Sequence, residues 1–273
     1  MGQDLEPRPY AVGVPCRIDY DHRQHAVYAQ GRALPEATMA TWMRVFDTSA
    51  PVRRPLTVLD LGSGTGRFTP SLAETFGGPV FGVEPSARMR AVAAQSARHS
   101  AVTYLDGAAE RIPLPTASCD LALMYLVLHH VQDRTAAAQE IARVLRPGGR
   151  VLIQSDFPGT APRLSNRYFP GARAIEAKAF PSVDEVTRTF SSAGFRYLSL
   201  EHVKIQLAPS LADYLVGLRF RAISTFERMT EQEITAGFAA LEADAAAETD
   251  PHPVEEVATL LVLAVDTEGA PDG

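Results

Sequence analysis

Short apolar runs alternate along this chain with stretches in which apolar residues recur every three or four positions, a pattern that predicts strands and helices in turn. Val58–Leu61 reads as a buried strand. A turn with glycine at 62, 64 and 66 closes it, and Phe68, Leu72, Ala73 and Phe76 then follow at helical spacing. Phe81–Pro85 (FGVEP), Thr103–Leu105 and Leu121–Tyr125 read as further strands. Asp133 is placed to cap a helix carrying Ala137, Ile141, Val144 and Leu145, and the Arg-Pro-Gly-Gly turn at 146–149 leads into a fifth strand. Strand–helix repetition over residues 57–156 predicts an α/β, doubly wound sheet. Beyond it, Ser182 with Glu185 predicts a capping box for a helix reaching Phe190, and Phe195–Gln206 reads as a strand. Helices are expected over Ser210–Met229 and from Thr230 onward, with Ile234, Phe238 and Leu241 on one face. Glu256–Val265 supplies the last strand.

The flanks follow a different rhythm. Residues 1–14 are rich in Pro and Gly and read as an arm; from Ile18 to Phe46 aromatic and polar groups mix, and Pro35 sits at the first turn of a helix. The expected division is an N-terminal arm and helical lid over 1–50 and a core over 51–273. Cap insertions fall near 157–181 and 208–250. The first carries four prolines and the cluster Arg163, Arg167, Tyr168 and Phe169. The helices between the last two strands are assigned to a cap or to a homodimer contact.

The glycine turn carries the first chemical signal. Three residues without Cβ let a ligand approach the backbone, and the helix that follows offers free N–H donors. A dinucleotide fingerprint would need glycine where Arg67 stands. Glu84, at the tip of the next strand, can accept from both hydroxyls of a ribose and disfavours a 2′-phosphate. His129 and His130 lie just beyond the fourth strand, at the edge where open α/β sheets bind ligands, and are candidate general bases; helix packing or ligand enclosure is the other role open to them. His22 and His25 are secondary candidates. The Arg163–Phe169 cluster suits either a substrate carboxylate and ring or a solvated cap face.

Composition narrows the partners. A net charge of −6 and a pI near 5.7 offer no basic surface for nucleic acid, and no apolar run reaches membrane-spanning length. With no secretory leader in the first residues, a cytoplasmic location is expected. Cys16 and Cys119 stand far apart, without metal spacing.

The Gly-x-Gly-x-Gly of VLDLGSGTGRF, the acidic FGVEP, DGAAERIPLP at 106–115, and LHHV with the Arg-Pro-Gly-Gly turn together resemble the class I S-adenosylmethionine-dependent methyltransferases, in the small-molecule branch that includes quinone-biosynthesis enzymes. The resemblance implies a Rossmann-like, mostly parallel sheet with an antiparallel last strand, and S-adenosylmethionine as cofactor. It places Asp60, Gly62, Ser63, Gly64 and Glu84 on the cofactor, with Asp60 orienting the loop or reaching the methionine amine. Pro85, Ser86 and Met89 would surround the adenosine. Ala108 and Ala109 would line the adenine through their backbone, since Ala108 stands where the family has Asp. Tyr28 and Arg32 would close a lid over the methionine end, and Tyr125 would face the donor methyl. The implied acceptor is a small organic molecule with a phenol, an amine or an activated carbon. The missing Asn/Asp-Pro-Pro-Tyr motif sets nucleobase amino-methylation aside, and two cysteines, where arsenic methylation relies on several, do the same for arsenic. A non-methylating S-adenosylmethionine binder, such as a cyclase or regulator, and an NAD-dependent oxidoreductase are the alternatives.

Overall fold

The computed structural model describes residues 31–160 and 163–266. The strands are β1 (Val58–Leu61), β2 (Val80–Glu84), β3 (Val102–Asp106), β4 (Cys119–Tyr125), β5 (Leu145–Gln154), β6 (Phe195–Ala208) and β7 (Val254–Val265). They form one sheet in the order β3-β2-β1-β4-β5-β7-β6. Pairing is parallel from β3 through β5, while β7 runs antiparallel to both β5 and β6. The strand order reverses between β1 and β4, so their carboxyl ends open the crevice in which such sheets bind ligands.

Each central strand is buried on both faces, and alternate residues feed two different cores. Leu59, Leu61, Ala122, Met124, Val151 and Ile153 pack against helices α4 (Arg134–Val144) and α7 (Val183–Ser191) through Ile141, Val144, Val186 and Phe190. Val58, Leu121, Leu123 and Leu152 face the other way, onto helices α1 (Glu36–Ser49) and α2 (Thr69–Phe76). The period of two along a pleated strand produces this division, and it explains why the strands read as unbroken apolar runs.

The helix boundaries have local causes. Ser86 caps α3 (Ala87–Ser96) by accepting from the Met89 amide at 3.1 Å, Asp133 caps α4 through the Thr135 and Ala136 amides, and Ser182–Glu185 forms the expected capping box of α7. Within the stretch expected to be arm and lid, α1 instead belongs to the core: Trp42 and Phe46 are fully buried against the sheet. The reason is amphipathic packing. Their rings stack at 5.3 Å, and Trp42 meets Tyr125 edge-on at 5.3 Å.

A third core belongs to the cap. It comprises the short helix α5 (Ser165–Tyr168), α6 (Pro170–Ala179), α8 (Leu211–Leu218), a 3₁₀ turn at Ser224–Arg228, and α9 (Glu231–Ala247), packed around Phe169, Leu215, Leu218, Phe226, Ile234 and Leu241. The continuous helix expected over Ser210–Met229 is broken here. Arg221 adopts φ +51°, and the chain turns so that Phe226 can meet Phe169 at 4.9 Å. Tertiary burial overrides helical propensity at this point. Among the described residues no helix is long and apolar enough to cross a membrane.

Candidate active site

The glycine turn closes β1 at the crevice. Gly62, Gly64 and Gly66 take φ of 71°, 57° and 80°, a region that costs other L-residues about 1–2 kcal/mol. A Cβ on Gly62 would lie 2.4 Å from a Val127 methyl, so the turn packs directly on the segment leaving β4. Glu84 pins it from the other side. One carboxylate oxygen accepts from the Gly64 amide at 3.0 Å, the other from the Ser86 amide at 2.9 Å. Asp60 lies beneath the turn and accepts from the Thr69 hydroxyl at 2.6 Å; burial pushes its carboxyl up to about 6, with Thr69 and Arg67 partly offsetting the rise. The Ser63 hydroxyl is buried in the turn without a hydrogen-bond partner.

The remaining residues expected around a nucleoside separate. Ser86 is a helix cap, Pro85 is exposed, and the Met89 side chain is buried beneath α3. Ala108 exchanges backbone hydrogen bonds with Arg111, its amide donating at 3.3 Å and its carbonyl accepting at 3.0 Å, so an adenine contact through that amide would compete with the Arg111 carbonyl. Ala109 is buried beside it. Glu110 ties its loop to the next element by accepting from the Gln132 and Asp133 amides. Tyr28, His22 and His25 lie outside the described residues. The donor set fits S-adenosylmethionine: an orphaned Ser63 hydroxyl in a glycine cradle, a carboxylate suited to ribose hydroxyls, and Arg67 where a dinucleotide turn needs glycine.

Beside the turn, a chamber of about 140 Å³ opens over the carboxyl ends of β4 and β5. Leu126 leaves β4 with φ +56°, and its amide donates to the Gln154 carbonyl at 3.0 Å; this bend leaves Tyr125 on the chamber wall. The Arg67 guanidinium lies over the Tyr125 ring at 5.3 Å. The chamber is also lined by three groups that periodicity did not single out: Glu256, Tyr214 and Gln154, the last paired in register with Tyr125. Gln154 is 3% exposed and its side-chain oxygen has no partner. The Arg163 side chain, only 13% exposed, pairs with Asp156 and stands 3.9 Å from Glu256. Burial lowers the Arg163 pKa and raises that of Glu256, and it pushes the Tyr214 hydroxyl to about 12. Of the predicted cluster, only Arg163 joins the chamber among its charged and aromatic members. Arg167 and Tyr168 bind Asp244, and Phe169 fills the cap core. Gln154 had a signal in the sequence: it ends a parallel strand on the ligand-binding edge.

Behind the chamber lies a recess of about 20 Å³, which shares Arg32, Leu126, Arg163, Ala222 and Ile223 with it. His129 and His130 sit here on a 3₁₀ turn (Leu128–His130), ring centroids 3.9 Å apart, with Phe180 against His129 at 4.4 Å. Burial holds both imidazoles neutral. Desolvation, then His130 and the guanidiniums of Arg163, Arg32 and Arg228, drive His129 well below its ordinary value; desolvation with Arg228 and Arg32 takes His130 to about 4.

The methyltransferase-domain family matches residues 59–153, the span that holds the glycine turn, Glu84 and the histidine pair. The chain is 28% identical over 187 residues to the ubiquinone/menaquinone biosynthesis C-methyltransferase UbiE of Syntrophotalea carbinolica, covering 67% of this chain and 74% of that one. Its fold is similar to that of an Anabaena variabilis protein ascribed, as a methyltransferase, to an antibiotic biosynthesis pathway (TM-score 0.67, 22% identity, 85% of this chain and 98% of that one). The [4+2]-cyclase SpnF is also similar (TM-score 0.59, 21% identity, 86% and 85%). Glycine turn, strand-tip carboxylate and antiparallel last strands converge with these likenesses on one assignment: the chain carries a methyltransferase domain, is similar to the class I S-adenosylmethionine-dependent methyltransferases of quinone biosynthesis, and transfers a methyl group from that cofactor.

Proposed function

We propose that this enzyme methylates a small organic acceptor, about one ring in size where it meets the chamber, at a nucleophilic carbon. The observation that carries the reading is the chamber itself: it lies beside the glycine turn and over the carboxyl ends of β4 and β5, and at about 140 Å³ it approaches the roughly 150 Å³ of a cavity that accepts benzene. Carbon as the receiving atom is supported by the similarity to a C-methyltransferase. S-Adenosylmethionine supplies an activated methyl on a sulfonium, so the protein's contribution is positioning.

Gly62, Ser63, Gly64 and Glu84 would hold the cofactor, with Asp60 bracing the turn through Thr69, and with Ser86, Met89, Ala108 and Ala109 forming the surroundings of the nucleoside. Arg32 borders the turn-side cleft as well as the chamber and the recess, which supports a role at the junction of cofactor and acceptor. Tyr125 orients the acceptor ring and excludes water. His129 and His130 border the acceptor, but an imidazole lowered to about 4 takes a proton from a hydroxyl poorly, so abstraction by the pair is disfavoured on basicity.

Incubation of the protein with cofactor bearing a carbon-13 methyl, together with a panel of phenols, enols and amines, tests the reading. Label bonded to carbon in a product one methyl heavier is the expected result. Label on nitrogen or oxygen would overturn the choice of carbon; product from no single-ring member of the panel would overturn the acceptor class.

A further inference from the structure

The recess behind the chamber carries a second feature. Its polar lining among the described residues consists of Arg32, His129, His130, Arg163, Ser224 and Thr225, side chains able to donate hydrogen bonds, and no carboxylate lines it. The nearby acids lie outside this lining: Asp156 pairs with one edge of the Arg163 guanidinium from the chamber, Glu256 faces the larger chamber, and Glu176 accepts from Thr225 at 3.2 Å and from Asn166 at 2.9 Å. His129 lines this recess, and its Nδ1 is buried without a hydrogen-bond partner. A volume of about 20 Å³ holds one water-sized atom, since roughly 10–15 Å³ is the lower limit for a single water.

We propose that the recess is a subsite for a single anionic oxygen of the acceptor, the phenolate or enolate oxygen conjugated to the carbon that is methylated, bound by the Nδ1–H of His129 and the guanidinium of Arg163. The proposal rests on the chamber being the acceptor site. The role given to His129 is donation, from the tautomer protonated at Nδ1, and its neutrality is what this role needs: the imidazole keeps its proton count while the guanidiniums of Arg163, Arg32 and Arg228 supply the charge. An oxygen held in this recess by donors is turned away from the chamber, which leaves the conjugated carbon to face it. The ionised form is selected on binding, so no side chain has to remove a proton during transfer.

A coloured nitrophenol, added to protein saturated with S-adenosylhomocysteine, tests the subsite directly, because its absorbance reports ionisation in place. The bound nitrophenol is expected to ionise about one pH unit lower than the free one, a tenfold preference for phenolate, and the corresponding methyl ether should bind at least tenfold more weakly. His129→Phe should abolish the shift, whereas His129→Asn, which keeps a donor near Nδ1, should retain it. Calorimetry with S-adenosylhomocysteine and the melting temperature of each variant verify that the cofactor site and the fold survive. An unshifted or unbound nitrophenol, equal binding of the ether, or an unchanged shift in His129→Phe would overturn the subsite. If Gln154→Leu and Tyr125→Ala leave nitrophenol binding untouched while His129→Phe removes it, the chamber reading fails instead.

Discussion

The cofactor edge and the acceptor chamber lie side by side on one sheet and are built in opposite ways. The edge draws its groups from Asp60 to Ser86, and apart from the Ser63 hydroxyl its side chains and turn amides satisfy one another: Thr69 donates to Asp60, and the Gly64 and Ser86 amides donate to Glu84. The chamber gathers residues from Gly31 to Ala258 and leaves buried atoms unmatched, among them the oxygen of Gln154 and, in its recess, His129 Nδ1. Buried polar groups are ordinarily paired, so most of the edge doubles as fold, with the Ser63 hydroxyl left for the ligand, and the chamber is assembled for a ligand. Changes at the edge should therefore harm structure and binding together. Changes in the chamber should separate them.

The largest effect is expected from Glu84→Ala, which strips both amides of their acceptor. At about 1–3 kcal/mol for each buried group left unpaired, the two amides should lower the melting temperature, and ribose hydroxyls that lose the same carboxylate should lower S-adenosylhomocysteine affinity by roughly two orders of magnitude. Parent-like affinity in calorimetry would break the comparison at its first term.

Stability against pH sharpens the contrast, because Asp60 at the edge and the histidine pair in the recess titrate with opposite signs. His130 falls from 6.5 in the open chain to about 4 when folded, so its contribution is complete above 6.5 and is lost as pH drops toward 4; at about 1.4 kcal/mol per unit this reaches about 3 kcal/mol. His129, also lowered, adds to the same loss. Asp60 rises from 3.8 to about 6, so its contribution is complete below 3.8 and is lost as pH climbs through 6. Between pH 4 and 6 the terms oppose each other. Urea unfolding should show Asp60→Asn losing stability more steeply on acidification than the parent, and His130→Gln losing it less. Identical slopes in all three would refute the electrostatic difference.

A smaller effect, and a cleaner separation, is expected from Gln154→Leu. Removing an oxygen that has no partner should leave the melting temperature equal or higher and cofactor affinity unchanged, while acceptor kcat/KM falls by about tenfold. A lowered melting temperature with unaltered kinetics would return Gln154 to the fold. Smallest of all is Thr230→Ala, which opens the capping box of α9: about 1 kcal/mol of stability should be lost, and methyl transfer should be kept.

What the residue order determined by itself was local. Strand, glycine turn and helix are contiguous, so Gly62–Gly66 and Glu84 could be placed from spacing, and the caps at Asp133, Ser182 and Thr230 stood within three residues of the amides they serve. The antiparallel pairing of β6 with β7 was legible only through the family resemblance, because the pairing spans the inserted helices. Tertiary structure alone decided the rest. It broke the helix at Arg221 to bury Phe226, drew Trp42 and Phe46 out of the expected lid into the core, and brought Gln154 and Arg163 to one chamber. It also decided the chemistry of the histidine pair. An imidazole's basicity depends on the charges around it, and Arg32, Arg163 and Arg228 come together at His129 and His130 only when the cap closes over the sheet edge.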